Sequence, residues 1–146
     1  MFTNLPVDLN SEVEKFLSNV VAWAETVPDL TAVALVGSQA RGDTNPDSDI
    51  DLVLLFEEPD KFLKERSWIS LFGELHRIEE EDWGKVTSLR AFYADGLEVE
   101  FGVTGLDWAS APTEQGDILV IQEGIVVLYE IDRHLSDKVK QFNVHH

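Results

Sequence analysis

The chain has 146 residues, 44% apolar and 10% aromatic, with 28 Asp plus Glu against 11 Lys plus Arg and a formal charge of −17. That size and apolar content suit one domain, spanning residues 1–146, with a buried core, and exclude wholesale disorder. Zero cysteines exclude disulfides, thiolate catalysis and cysteine zinc sites, and the acidic balance argues against duplex binding, which needs a basic surface.

Apolar runs such as Ala32-Val33-Ala34-Leu35-Val36 fall far short of the ~18 residues needed to cross a bilayer. Met1-Phe2-Thr3-Asn4-Leu5-Pro6 has neither a basic nor an apolar signal region, so the expected location is the cytoplasm.

In chain order, Val13, Phe16, Leu17, Val20, Val21 and Ala24 follow the 3.6-residue repeat of one helix face. Asn10 or Ser11 can cap this helix, Glu12 and Glu14 suit its first turn, and Pro28 lies just past its end. Thr31 to Val36 is apolar and β-branched and stops at Gly37, which predicts a buried strand. A turn-rich stretch, Gly42 to Asp47, precedes a second buried strand, Ile50 to Phe56. From Asp60 to about Glu81 helical spacing returns, with Trp68, Leu71, Phe72 and Leu75 as inner residues and Glu79-Glu80-Glu81-Asp82 as a solvated helix end.

A hairpin is expected next, Val86 to Ala94 and Leu97 to Val103 about a two-residue type I′ turn at Asp95-Gly96. Its second arm alternates Leu97, Val99, Phe101 and Val103 with Glu98, Glu100 and Gly102, so one face is apolar and the other carries two carboxylates. Pro112 to Gln122 predicts a short helix stopped by Gly124, Ile125 to Glu130 a strand, and Leu135 to Phe142 a closing helix. The order of elements gives an α/β (α+β) domain with a mixed β-sheet flanked by helices.

The chemistry concentrates in Gly37-Ser38-Gln39-Ala40-Arg41-Gly42 and Ser48-Asp49-Ile50-Asp51-Leu52. Asp49 and Asp51, two apart at a strand's mouth, emerge on one face about 7 Å apart along the chain. They repel unless a cation sits between them, and oxygen-only ligands favour Mg²⁺, Mn²⁺ or Ca²⁺ over zinc. Gly37 lets the backbone bend and present N–H groups to an anion, and a helix beginning at Ser38 would add its amides and hydroxyl. In a chain with 28 carboxylates a lone Asp-x-Asp reads as an exposed strand start, and Gly-Ser alone as a turn. Their order and separation carry the joint signal, a phosphate cradle facing a metal-binding carboxylate pair.

These residues, spanning positions 37 to 52, resemble the signature of the DNA polymerase β-like nucleotidyltransferase superfamily, in particular its small prokaryotic members. Those proteins are similar to the catalytic domains of antibiotic nucleotidyltransferases. The resemblance implies a polymerase β-like fold and a Mg²⁺-dependent transfer of NMP from an NTP, ATP foremost, to a hydroxyl on a small molecule or protein side chain. It implies a two-metal site held by Asp49, Asp51 and a third carboxylate on a neighbouring strand, with Gly37 and Ser38 on the β- and γ-phosphates. Glu100 is preferred over Glu98 for the third carboxylate, because it lies centrally between apolar neighbours while Glu98 is close to the turn.

Arg41 either leans toward the phosphates or pairs with Asp43 or Asp47, and Ser48 stabilises its turn. Arg90 is expected in a surface ion pair, with the nucleotide as its other reach. Trp83 and Trp108 read as core, Trp108 being near enough to the Glu100 strand to line a base or acceptor pocket. His76 and His134 have no metal-ligand spacing, and the pair His145-His146 is terminal. Antibiotic-modifying members carry an extra helical domain for the acceptor, so here a homodimer, a helical partner or the loop from Gly105 to Pro112 is expected to complete that site. Two other readings stay open: an antitoxin-type enzyme that modifies a HEPN-like partner, and a non-catalytic nucleotide- or partner-binding module. A template-directed polymerase is not expected, for want of a basic groove.

Overall fold

A computed structural model describes residues 11–37, 49–82, 86–106 and 125–131. Helix α1 (Ser11–Ala24) is followed by β1 (Leu30–Val36), β2 (Ile50–Phe56), a short helix α2 (Pro59–Lys64) and a 3-10 turn (Ser67–Phe72). Strands β3 (Leu75–Asp82), β4 (Thr87–Tyr93), β5 (Glu98–Gly105) and β6 (Ile125–Glu130) complete a six-stranded sheet in the order β3-β4-β5-β2-β1-β6. The sheet is mixed, with β2 and β5 parallel and the other neighbours antiparallel. The predicted elements over Pro112 to Gln122 and Leu135 to Phe142 lie outside the described residues.

Strand alternation separates two faces. Ile50, Leu52, Leu54 and Phe56 of β2 join Leu89 and Ala91 of β4 and Val99, Phe101 and Val103 of β5 in the main core. Onto it α1 lays Val13, Phe16, Leu17, Val20 and Ala24, all buried. Trp23 of α1 stacks on Trp68 of the 3-10 turn at 5.2 Å, and Trp68 meets Phe101 edge-on at 5.1 Å, so aromatic packing ties helix, turn and sheet. The opposite face is thinner, with Ala32, Ala34, Val53 and Leu55 as its buried cluster. By the period of two, Asp51 on β2 and Glu98 and Glu100 on β5 belong to this second face.

Three local expectations are corrected. The helical spacing from Asp60 ends early: α2 stops at Lys64 and Leu75 to Asp82 is the edge strand β3, not a helix end. Pairing with β4 satisfies the inward-facing backbone groups of β3, while Leu75 and Ile78 pack against the core. The charges Glu79, Glu80, Glu81 and Asp82 stay in solvent, where on an edge they discourage further strand addition. Leu71, expected inside, is 65% exposed because the turn is 3-10 rather than α.

The hairpin turn also differs. Gly96 has φ +94 but Asp95 does not adopt a positive φ, so a type I′ turn is excluded. Gly96 N–H donates to Tyr93 C=O at 3.0 Å, Tyr93 N–H donates to Leu97 C=O at 2.9 Å, and Asp95 Oδ1 accepts from Leu97 N–H at 3.0 Å. These bonds define a three-residue loop with a left-handed glycine at its end. Arg90 consequently stands opposite Glu100.

Candidate active site

Four backbone segments converge at one end of the second face. Asp51 faces Glu100 across the parallel β2–β5 pair and Val36 across the β1–β2 pair. Gly37 follows directly, with φ +75, a conformation that side-chain-bearing residues rarely adopt. A Cβ at Gly37 would lie 2.5 Å from Asp51 Oδ2, so glycine permits both the bend and the close approach of backbone to carboxylate. Asp49 precedes β2.

Burial of these acids has an electrostatic consequence. Asp51 is pushed from 3.8 up to about 7, first by burial, then by a hydrogen bond with Glu100 and by the charges of Glu100 and Asp49, with Arg90 opposing. Glu98 is also shifted upward, chiefly by a hydrogen bond with Asp49 and then by burial. A carboxyl that holds a proton near neutrality among other acids marks a place where positive charge is in demand.

Arg90 supplies part of that charge. Its Nη1 donates to Asp49 Oδ2 at 2.6 Å and Glu98 Oε2 at 2.7 Å, and its Nη2 is 3.6 Å from Glu100 Oε2. Ser88, buried on the same face of β4, donates its hydroxyl to Glu100 Oε1 at 2.6 Å.

The structure thus brings together Asp49, Asp51, Glu100 and Gly37 of the residues singled out in the sequence. Ser38 and Arg41 lie outside the described residues, as do Ser48, Trp83 and Trp108. Glu98 enters the cluster through Arg90, while Glu100 is in register with Asp51. Arg90 does form ion pairs, but within the carboxylate cluster rather than on the open surface. Ser88 was not singled out; the alternation Ser88, Arg90, Phe92 across from Glu98 and Glu100 is the signal for it.

An all-oxygen donor set of Asp49, Asp51 and Glu100 is chemically suited to a hard divalent cation. The demand for positive charge at Asp51 fits such an ion as well. Among the described residues no three Asp, Glu or His side chains form a ready-made metal cage, the acids being gathered about Arg90 instead. An apolar cavity of about 360 Å³, lined by Trp23, Phe62, Trp68 and Leu71 among others, lies on the helical side of the sheet, away from this cluster.

The sheet and its flanking helices define a protein of the polymerase β-like nucleotidyltransferase fold. One similar structure is aminoglycoside 6-adenyltransferase from Bacillus subtilis, with TM-score 0.55 and 16% identity over 69% of this chain and 37% of that one. Another is the CCA-adding enzyme of Thermotoga maritima complexed with tRNA, with TM-score 0.53 and 16% identity over 90% of this chain and 32% of that one. A CCA-adding enzyme in complex with CTP has TM-score 0.51 and 15% identity over 92% of this chain and 33% of its own. The chain belongs to the nucleotidyltransferase domain family, which matches residues 20–143. It spans about a third of the length of these structural relatives. No curated protein is a significant match to it in sequence. Among the described residues no helix is long and apolar enough to cross a membrane.

Proposed function

We propose that residues 1–146 form one Mg²⁺-dependent nucleotidyltransferase domain that moves NMP from an NTP, ATP foremost, to a hydroxyl acceptor and releases pyrophosphate. The observation that carries this reading is the register of Asp51 with Glu100, with Asp49 and the Gly37 backbone beside them. Asp49, Asp51 and Glu100 would hold the metal, whose charge, when bound, offsets that of the triphosphate and of the transferring phosphoryl group.

Gly37 and Ser38 would bind the β- and γ-phosphates, with Arg41 as a further contact. Glu100, held by Ser88, would complete a second metal site or take the acceptor hydroxyl's proton as the new oxygen–phosphorus bond forms and the bond between the α-phosphorus and the bridging oxygen breaks. The protein's remaining work is positioning and electrostatics.

The formal charge of −17 favours a small molecule or a protein side chain over nucleic acid as acceptor. The tRNA complex of one relative belongs to a longer protein. A homodimer or a helical partner would complete the acceptor site in the cytoplasm.

The test is thermal unfolding with each NTP, with and without Mg²⁺, on wild type and Asp51→Asn, followed by transfer from α-labelled NTP. Ligand binding to the folded state raises the midpoint by mass action. A Mg²⁺-dependent rise lost in the mutant supports the site; wild-type transfer by the mutant overturns the metal assignment.

A further inference from the structure

Arg90 occupies an unusual position for a cation in so acidic a chain. It is 31% exposed, and the side chains of Asp49, Glu98 and Glu100 around it are 32%, 33% and 26% exposed. Pairs at this depth are screened less than exposed ones and interact more strongly. One nitrogen, Nη1, serves two acids, and the guanidinium reaches a third from opposite Glu100 on β4.

Two of the three acids assigned to metal binding, Asp49 and Glu100, are therefore already engaged by an internal cation. A carboxylate oxygen that accepts a guanidinium hydrogen bond at 2.6 Å has part of its negative potential neutralised. A divalent ion that takes Asp49 as a ligand must do so against this bond and against repulsion from Arg90.

We propose that Arg90 is a resident counter-cation of the metal-free site: it holds Asp49, Glu98 and Glu100 together, and Asp49 exchanges Arg90 for the divalent ion when the site loads. The proposal rests on the reading of Asp49, Asp51 and Glu100 as the metal-binding set. Arg90 is then a positioning residue that sets metal affinity without touching the reacting atoms. A guanidinium that merely joined β4 to β5 would behave oppositely, since its loss would scatter the acids and weaken metal binding along with the fold.

The experiment titrates nucleotide-free protein with Mn²⁺, reading the free ion by electron paramagnetic resonance, and measures thermal midpoints with and without Mn²⁺. Wild type, Arg90→Gln, Arg90→Lys and Asp51→Asn are compared. Arg90→Gln is expected to bind Mn²⁺ roughly tenfold more tightly, because a like charge beside the ion is gone. Its metal-free midpoint falls, and Mn²⁺ raises that midpoint further than in wild type. Arg90→Lys keeps the charge but loses the planar fork, so its affinity rises by a smaller factor. This variant tests the proposal if Arg90→Gln does not fold.

Unchanged or weaker affinity in the folded Arg90 variants, with wild type still binding Mn²⁺ and Asp51→Asn not, overturns the counter-cation role alone. No Mn²⁺ binding by wild type, or equal binding by Asp51→Asn, overturns the metal-site reading and this proposal together.

Discussion

Asp51 and Glu100 face each other across the parallel β2–β5 pair, and burial, followed by the proximity of Glu100, pushes Asp51 up to about 7. A carboxyl that burial deprives of water beside other acids keeps its proton to higher pH than one in solvent. The metal-free protein therefore holds an electrostatic penalty at this position that amide chemistry can relieve. Asp51→Asn keeps a donor toward Glu100 and removes a charge. We predict that its metal-free melting midpoint rises by a few degrees, about 1–2 kcal/mol, while the Mg²⁺-dependent nucleotide shift disappears. An unchanged or lower midpoint would show that the carboxyl pair stores no such penalty.

The same residue sets a pH dependence with a definite sign. Asp51 ionises at 3.8 in the unfolded chain and at about 7 in the fold. Below pH 3.8 both states hold the proton and its contribution to stability is complete. Between these values the unfolded chain releases a proton that the folded one keeps, so stability declines as the pH rises and levels off above about 7. Chemical denaturation of the metal-free protein at a series of pH values should show this decline, reduced in Asp51→Asn. Equal slopes in the two proteins would remove Asp51 as its source.

Two glycines share a left-handed backbone but not a setting. A Cβ at Gly37 meets Asp51 Oδ2 at 2.5 Å, whereas one at Gly96 meets nothing within 4 Å. Alanine at either position costs about 1–2 kcal/mol from backbone strain alone. Gly37→Ala should in addition displace the Asp51 carboxylate and abolish metal-dependent NTP binding, whereas Gly96→Ala keeps wild-type transfer. Melting midpoints together with labelled-NTP transfer separate the two effects. Retained nucleotide binding in Gly37→Ala would mean that the close approach to Asp51 has no role in the site.

Register, rather than residue type, is the ground on which we propose Glu100 over Glu98. Glu100 is paired with Asp51, while Glu98 reaches the cluster through Arg90 and Asp49. Glu100→Gln is predicted to lose at least about a hundredfold in transfer, the range for general-base removal, while retaining some nucleotide binding. Glu98→Gln should retain most transfer. The reverse outcome in the labelled-NTP assay would assign the third acid to Glu98.

Much of this was legible in the chain, for identifiable reasons. Ile50 to Phe56 is a buried run whose start places Asp49 and Asp51, and its bounds match β2. The alternation in Leu97 to Val103 put Glu98 and Glu100 on one face without any tertiary information. The edge strand β3 was hidden because Trp68, Leu71, Phe72 and Leu75 mimic a helical repeat, while Glu79 to Asp82 are poor strand formers that pairing with β4 overrides. Arg90 was obscured by a single residue of register. A two-residue turn at Asp95-Gly96 would set Ala91 opposite Glu100, whereas the three-residue loop sets Arg90 there. Hydrophobic pattern favours the observed register, since it keeps Leu89, Ala91 and Tyr93 on the core face with Val99 and Phe101.

Ser88 offers the sharpest test of how Glu100 is held. Its hydroxyl donates to Glu100 Oε1 at 2.6 Å, while Arg90 Nη2 stands 3.6 Å from the other oxygen, so the carboxylate is gripped from two sides by β4. Removing the hydroxyl leaves Glu100 held by Arg90 alone on the β4 side and leaves a small void at a buried position. Ser88→Ala is predicted to cost about 1 kcal/mol in stability. Transfer should fall about tenfold through kcat, because misplacing a reacting group slows the chemical step while nucleotide affinity depends on groups Ser88 does not touch. Ser88→Thr retains the hydroxyl and should recover most of the rate. Steady-state kinetics over a range of NTP concentrations distinguishes the cases: a change confined to KM would place Ser88 in nucleotide binding, and an unchanged kcat would show that Glu100 needs no second anchor.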